Sequence, residues 1–406
     1  MNRSSSRPET DCGTLFLQGV GALLRAYVVD VDSATLTPRD AVDLPSNIQY
    51  AWPHPSRPIV YVATSDSASG NTSTPGVVHR LCAVRVDAEG RLVLHGDPQV
   101  LPTRPIHSSV DRSGGWILTA YNNPSGLTVH AINPDGTVGA VVPQSAALDA
   151  GIFAHQILAL PSNRSVVLVV RGNDAVGDRR EDPGALKTFG FEEGKLLPGS
   201  SIAAGDRGGL GYGPRHLEFH PTQPWVYVSV ERQNALHMHR MQGDRIDPQP
   251  AYVKGTLAMQ RDERLMQVAG GIHVHPAGGN VYVSNRASMT ETVDGRPVFA
   301  GGENSIAVFA IDAVTGEPTL IQHADPQSCH VRTFSIDPSG RLFVAASVME
   351  ILVRDGPGVR HVSAALSVFR IAVDGRLDFV RKFDVDLGGK FQWWTGFVCF
   401  PPLAFS

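Results

Sequence analysis

The sequence predicts an all-β fold, a single seven-bladed β-propeller, on three observations. A turn-plus-strand unit recurs six times along the chain, further hairpins fill the gaps between copies, and the two ends complement each other as parts of a seventh blade. The copies are HPSRPIVYVATS from His54, DRSGGWILTAYN from Asp111, LPSNRSVVLVVR from Leu160, HPTQPWVYVSVE from His220, HPAGGNVYVSNR from His275 and DPSGRLFVAASV from Asp337. Their second residues fall at 55, 112, 161, 221, 276 and 338, so the copies lie 49 to 62 residues apart, which is room for four short strands each.

Between copies stand AVRVDAEGRLVL (83–94), VHAINPDGTVGAV (129–141) and FRIAVDGRLDFV (369–380), each a strand, an Asp/Gly turn and a returning strand with period-2 alternation. LFLQGVGALLRAYVVDV (15–31) reads as outer strands lacking an inner hairpin, and FQWWTGFVCF (391–400) as inner strands lacking outer ones. Pairing the N- and C-terminal strands in one blade closes the ring and removes its exposed edges. Residues 1–12 read as a disordered polar tail and 13–406 as the propeller.

Composition agrees. With 406 residues, 41 Gly and 29 Pro, the chain suits many turns and few long helices. A net charge of -4 without basic runs argues against nucleic acid as a partner. Gln18 and Arg25 interrupt the apolar N-terminal stretch, and no small-residue cleavage site follows it, so neither a signal peptide nor a membrane partner is expected. The four cysteines are scattered and form no C-x-x-C pair, which makes a zinc site or a disulfide framework implausible. The expectation is a cytoplasmic protein, a monomer or weak homo-oligomer, with no metal and no cofactor.

Three insertions directly follow the second strand of a hairpin: 172–185, 287–303 and 349–363. They are expected to overhang one and the same face as long loops, where binding surfaces are usually built.

The repeat register sorts the polar residues. Six places before each second turn residue stand Gln49, Ile106, His155, Arg215, Gly270 and Arg332; ten places after stand Ser65, Asn122, Arg171, Glu231, Arg286 and Val348. The strands of a hairpin are antiparallel, so both rows belong at one mouth of the central channel. That gathers His155, Arg215, Glu231 and Arg286, with Arg171, Arg332 and Asn122 near by; His216 and His107 are one residue along from their row, and His273 is further down its strand. Arginines around a pocket suit an anionic ligand, because guanidinium pairs bidentately with carboxylate or phosphate. Glu231 among arginines is expected to stay ionised, leaving His155 as the row member that titrates near neutrality.

The plainer alternatives are paired arginines at strand ends and a hydrogen-bonded core role for His273. His54, His220, His275, Asp111 and Asp337, all in turns, are expected to be structural. His237 and His239 share the i, i+2 spacing of a metal pair but have no third ligand in view. Trp393 and Trp394 either wall the pocket or pack in the closing blade.

GPRHLEFHP with its downstream VYVSVE, GIHVHPAGGNVYVSNR and VRTFSIDPSGRLFVAAS resemble the seven-bladed lactonase family, which includes propeller-type 6-phosphogluconolactonases and carboxy-muconate lactonising enzymes. The resemblance covers about residues 13 to 400. It implies a catalytic set of one His, two Arg and one Glu with no metal, which maps onto His155, Arg215, Arg286 and Glu231. It departs from the family pattern at Gln156, Gly271, Val331, Trp393 and Trp394, all around the pocket. The implied activity is hydrolysis of a small anionic lactone, with His155 or Glu231 as the base. A muconate-type cycloisomerase using the same residues is the second reading. A non-catalytic interaction platform is the third.

Overall fold

The computed structural model describes residues 13–67, 76–145, 147–260, 262 and 264–400. The expected tail, residues 1–12, lies outside them. No helix occurs among the described residues, and none is long and apolar enough to cross a membrane. Seven antiparallel blades of four or five strands are present. Their innermost strands are Asn47–Pro53, Pro105–Val110, Ala154–Ala159, Pro214–Phe219, Gln267–Val274, Val331–Ile336 and Trp394–Phe400, which define blades 1 to 7. Each innermost strand touches the next, and blade 7 touches blade 1, so the ring is closed.

Seven hydrophobic clusters, one at each blade-to-blade interface, replace a single core. This explains why second strands such as Ile59–Ser65 and Trp225–Val230 are mostly apolar without alternation: every residue in them is buried, on both faces. Each side chain buried in this way contributes about 1.5–3 kcal/mol.

Neighbouring blades are also joined by repeated polar contacts. The turn histidines His54, His220 and His275 bring Nε2 to the carbonyls of Gly114 (3.2 Å), Gly278 (3.0 Å) and Gly340 (2.9 Å) in the following blade. Those glycines have φ of +73° to +81°, and a Cβ on any of them would stand 2.5–2.6 Å from the imidazole. Asp111 and Asp337 accept backbone N–H groups of their own turns instead. Further out, the hydroxyls of Tyr61, Tyr227 and Tyr282 donate to the carbonyls of Gly136, Gly316 and Gly375 at 2.8–2.9 Å. The turn residues are structural.

The closing blade differs from its expected composition. The C-terminal segment supplies one strand, Trp394–Phe400, which pairs with Gly13–Val20; Leu23–Asp30 and Thr35–Asp43 complete the sheet. The N-terminal segment therefore provides three strands, because Thr35–Asp43, too polar to stand out as a strand, edges the sheet in contact with water. Cys399 in this blade is disulfide-bonded, although a disulfide framework was implausible from the scattered cysteines.

Two of the three insertions are ordered hairpins, where loops were expected. Thr290–Val293 pairs with Arg296–Phe299, and Ile351–Asp355 with Gly358–Val362. A parallel contact between Val298 and Leu352 joins them into one four-stranded sheet attached to blades 5 and 6. Asp294 and Gly295 have φ of 49° and 73°, the left-handed pair of a two-residue hairpin turn.

Candidate active site

Six of the seven innermost strands carry a β-bulge, and it falls on the residues the register singles out. Gln49, Ile106, His155, Arg215 and Arg332 each lack a partner between two paired neighbours, as do Gly270 and Gly271 together. A bulge bends the strand and re-aims the unpaired side chain, here at the rim of the channel. The closing blade pairs in register from Gly13 to Gly19, without a bulge.

Glu231, one residue past the end of its strand, sits at the centre. Its amide donates to the carbonyl of Gly213 (2.9 Å). Its carboxylate receives Arg171 Nε (2.9 Å), Arg215 Nε (2.9 Å) and Arg286 Nη2 (3.3 Å). Burial alone would raise this carboxyl, but Arg171, Arg286 and Arg215 together outweigh it and hold it at about 2. Arg171 continues the network through Nη2 to Asp174 (2.8 Å) and lies over the Phe153 ring (5.4 Å). Gly270 is glycine because Arg286 crosses its position: a Cβ there would stand 2.8 Å from Arg286 Nε and 2.2 Å from Ser284 Oγ.

His155 is buried, and its Nδ1 meets no partner among the described residues. Burial and the charges of Arg215, Arg332 and Arg171 hold it well below the usual imidazole range, so it is neutral at pH 7. This revises the expectation that it titrates near neutrality in the free protein. Below it the rings of His216 (centroids 5.0 Å) and His107 (5.8 Å further on) form a column capped by Tyr50, 4.1 Å from His107.

Two cavities open at the mouth. One, of about 310 Å³, is lined by His155, Asn122 and six arginines, Arg104, Arg171, Arg179, Arg215, Arg286 and Arg332, against only two carboxylates, Asp174 and Glu231. Arg104 donates to Gln49 Oε1 (2.8 Å) and Arg332 lies over Trp393 (4.6 Å). Neither pairs with a carboxylate among the described residues. The other, of about 540 Å³, lies beside His330 and shares Arg171, Asp174, Glu231 and Arg286 with the first.

The structure thus brings His155, Glu231, Arg215, Arg286, Arg171, Arg332 and Asn122 together. His216 and His273 line the narrow channel beneath, with Arg215, Arg332 and Trp393. His273 Nδ1 meets Glu218 (2.9 Å); burial opposes its charge, but the Glu218 carboxylate prevails and raises it above its ordinary value. His107, expected to touch substrate, is fully buried under Tyr50 and reaches the site only through His216. Of the two tryptophans, Trp393 walls the channel and Trp394 packs in the core between blades 7 and 1. His237 and His239 bond to Gln233 Oε1 and the Asp247 carbonyl, and no cluster of three or more metal-ligating side chains occurs among the described residues.

Several site residues escaped the sequence reading. Arg104, Phe153 and His330 line the two cavities. Each lies two places before a register residue, so extending the same register by one more row would have found them. Phe153 and His330 hold φ of 61° and 56°, and Gly213 at the equivalent place has 52°. Such left-handed conformations in bulky residues are a form of strain concentrated at functional sites. Asn173, Asp174 and Arg179 come from the insertion that follows Arg171, which folds back over the mouth.

The chain is thus a seven-bladed propeller that holds a buried Glu, three arginines and a neutral histidine at the mouth of its channel. Residues 14–349 match the family described as "Lactonase, 7-bladed beta-propeller", and the chain belongs to that family. It is 25% identical over 358 residues to the 6-phosphogluconolactonase of Erwinia tasmaniensis, covering 88% of this chain and 91% of that one. To the 6-phosphogluconolactonase of Bacillus subtilis it is 26% identical over 253 residues, 60% of this chain and 63% of the relative. Among solved structures, a putative 6-phosphogluconolactonase from Bacteroides fragilis superposes with a TM-score of 0.68 at 17% identity, covering 97% of this chain and all of that one. The periplasmic gluconolactonase of Pseudomonas aeruginosa superposes with a TM-score of 0.69 at 18% identity, covering 95% and 99%. These two share the fold.

Proposed function

We propose that the protein hydrolyses a small anionic lactone of the 6-phosphogluconolactone type at the Glu231 mouth. The observation that carries this reading is the charge of the smaller cavity, six guanidiniums against two carboxylates around a neutral imidazole whose Nδ1 has no partner among the described residues. An anion is the complement that such a site lacks. Arg332 and Arg104, which pair with no carboxylate among the described residues, are the natural seats for the substrate's phosphate or carboxylate.

Attack forms a bond from water oxygen to the lactone carbonyl carbon. The oxyanion that develops faces Arg215 and Arg286, whose charges are already in place. His155 takes the proton from water and returns it to the ring oxygen as the ring C–O bond breaks, leaving a hydroxy acid. Between the two possible bases the geometry favours His155. Three of Glu231's acceptor positions are occupied by arginines, and a carboxyl held at about 2 is a weak proton acceptor. Glu231 instead fixes the arginine fan. Binding of an anion offsets the cations that depress His155, so the substrate itself raises the imidazole toward a working pH.

Cycloisomerisation would use the same groups, and the relatives' names weigh for hydrolysis. An interaction platform has no use for a charged, cavity-lined mouth. Composition points to the cytoplasm, whereas the Cys399 disulfide points to an oxidising compartment; fractionation with non-reducing peptide mapping decides between them.

Acid release from 6-phosphoglucono-δ-lactone and from uncharged glucono-δ-lactone tests the function. The charged lactone is expected to have the higher kcat/KM, and His155→Ala to lower turnover about 10²–10⁴-fold. The acid limb of kcat/KM for the free enzyme is expected below the ordinary imidazole range. Equal rates on both lactones together with an active His155→Ala variant would overturn the assignment.

A further inference from the structure

The two mouth cavities differ in charge, and the difference identifies what the larger one holds. The smaller is strongly cationic. Around the larger, three guanidiniums (Arg171, Arg232, Arg286) face three carboxylates (Asp174, Glu181, Glu231). They are mutually paired: Arg232 meets Asp174 (2.8 Å) and Glu181, and Arg171 meets Asp174 and Glu231. Paired ions of this kind exert little net pull on an anion, but they leave donors and acceptors alternating along one wall. A chain of hydroxyl groups, each both donor and acceptor, complements such a wall.

His330 is built into the same cavity. Its amide donates to Asn304 Oδ1 (2.7 Å), its carbonyl accepts the Val348 amide (3.2 Å), and its backbone is held at φ 56°. Asn304 is itself anchored at both ends to Ala287. The main chain is thus pinned while Nδ1 is buried without a partner among the described residues. Burial and the Arg286 charge keep the ring neutral, able to donate from one nitrogen and accept at the other.

We propose that the His330 cavity is a second substrate subsite that takes a neutral, hydroxyl-rich extension of the anionic lactone, so that the preferred substrate is an aldonolactone bearing both an anionic group and a glycosyl group rather than a single sugar. The proposal rests on the lactone reading of the shared Glu231–Arg286 junction, with the anionic end in the His155 cavity and the second sugar against His330.

Calorimetric titration with lactobionate, a galactosyl gluconate, and with gluconate tests it without turnover. Lactobionate is expected to bind about tenfold more tightly, a difference of about 1.4 kcal/mol. His330→Ala is expected to reduce that preference several-fold. Ala175→Trp, which fills the cavity from the exposed insertion, is expected to abolish it while gluconate still binds, showing the variant is folded. Equal affinity for both acids, or a preference that survives Ala175→Trp, overturns the subsite even if lactones are opened. Retention of the preference pattern in a protein that opens no lactone sustains the subsite and removes the hydrolase reading.

Discussion

The two ends of the inner hairpins obey different rules although the same repeat builds both. At the turn end, blades 1, 4 and 5 use one device three times, a histidine bonded to a glycine carbonyl of the next blade. At the mouth end the backbone is repeated and the residue is not. Six bulges recur at the same place, yet they present Gln49, Ile106, His155, Arg215, a Gly pair and Arg332. Where residue and geometry recur together, the position serves the ring. Where the geometry recurs and the residue varies, the position serves chemistry on a substrate that has no sevenfold symmetry.

The largest expected effect tests the mouth. Glu231→Ala leaves the buried guanidiniums of Arg215 and Arg286 beside Arg171 without their shared carboxylate, and removing one partner of a buried ion network costs about 3–5 kcal/mol. Turnover is expected to fall as well, about 10²-fold or more, because the oxyanion-binding arginines lose their anchor. The threefold pairing of Glu231 makes both a loss of stability and a loss of turnover expected. Chemical denaturation and kcat/KM measured on one preparation check this, and an unchanged unfolding midpoint would contradict the fan as drawn.

A pH series probes the same carboxylate. Its folded value of about 2, against an ordinary 4.5, corresponds to roughly 3 kcal/mol of stabilisation. Because the folded value is depressed, that stabilisation is fully present above pH 4.5 and is lost as pH falls toward 2. Unfolding midpoints measured between pH 7 and pH 2 are expected to drop over that window, and Glu231→Gln is expected to flatten this part of the curve. A curve of the same slope in both proteins would place the acid sensitivity elsewhere.

Next in size is a change at the turn end. Gly278→Ala meets both a φ of +81° and the His220 ring 2.6 Å away. It is expected to lower stability by about 1–3 kcal/mol with kcat/KM unchanged at temperatures where the protein is folded. A selective loss of turnover there would erase the distinction between the two ends.

Most of the fold was legible in the sequence because apolar runs, Asp/Gly turns and a regular period are local signals. The four central residues were legible for a related reason: a repeat converts sequence position into spatial position, so Arg215 and Glu231 become neighbours by counting. Counting could not show the bulges, which shift pairing by one residue without altering composition. Nor could it show that one carboxylate would collect three arginines from blades 3, 4 and 5. The strand Thr35–Asp43 was missed because only one of its nine residues, Leu36, is fully buried. The two capping hairpins were missed although VDGR and RDGPG carry the turn signal, since their flanking residues are mostly exposed and barely alternate.

The smallest predicted effect sharpens the comparison most cleanly. Tyr227 lies on the same strand that leads to Glu231, and its hydroxyl donates to the Gly316 carbonyl (2.8 Å) in blade 5. Tyr227→Phe keeps the ring in its inter-blade core and deletes one buried hydrogen bond, so a loss of about 1 kcal/mol is expected. The strand's register, and therefore the placement of Glu231 four residues on, depends on its backbone pairing with Ala235–Gln242 and Pro214–Phe219, which this substitution leaves intact. Thermal unfolding is expected to shift slightly downward while kcat, KM and their pH dependence stay as in the parent. A change in kcat would mean that the contact between blades 4 and 5 sets the angle at which Arg286 reaches Glu231, and that the ring's fastenings and its chemistry are coupled rather than separate.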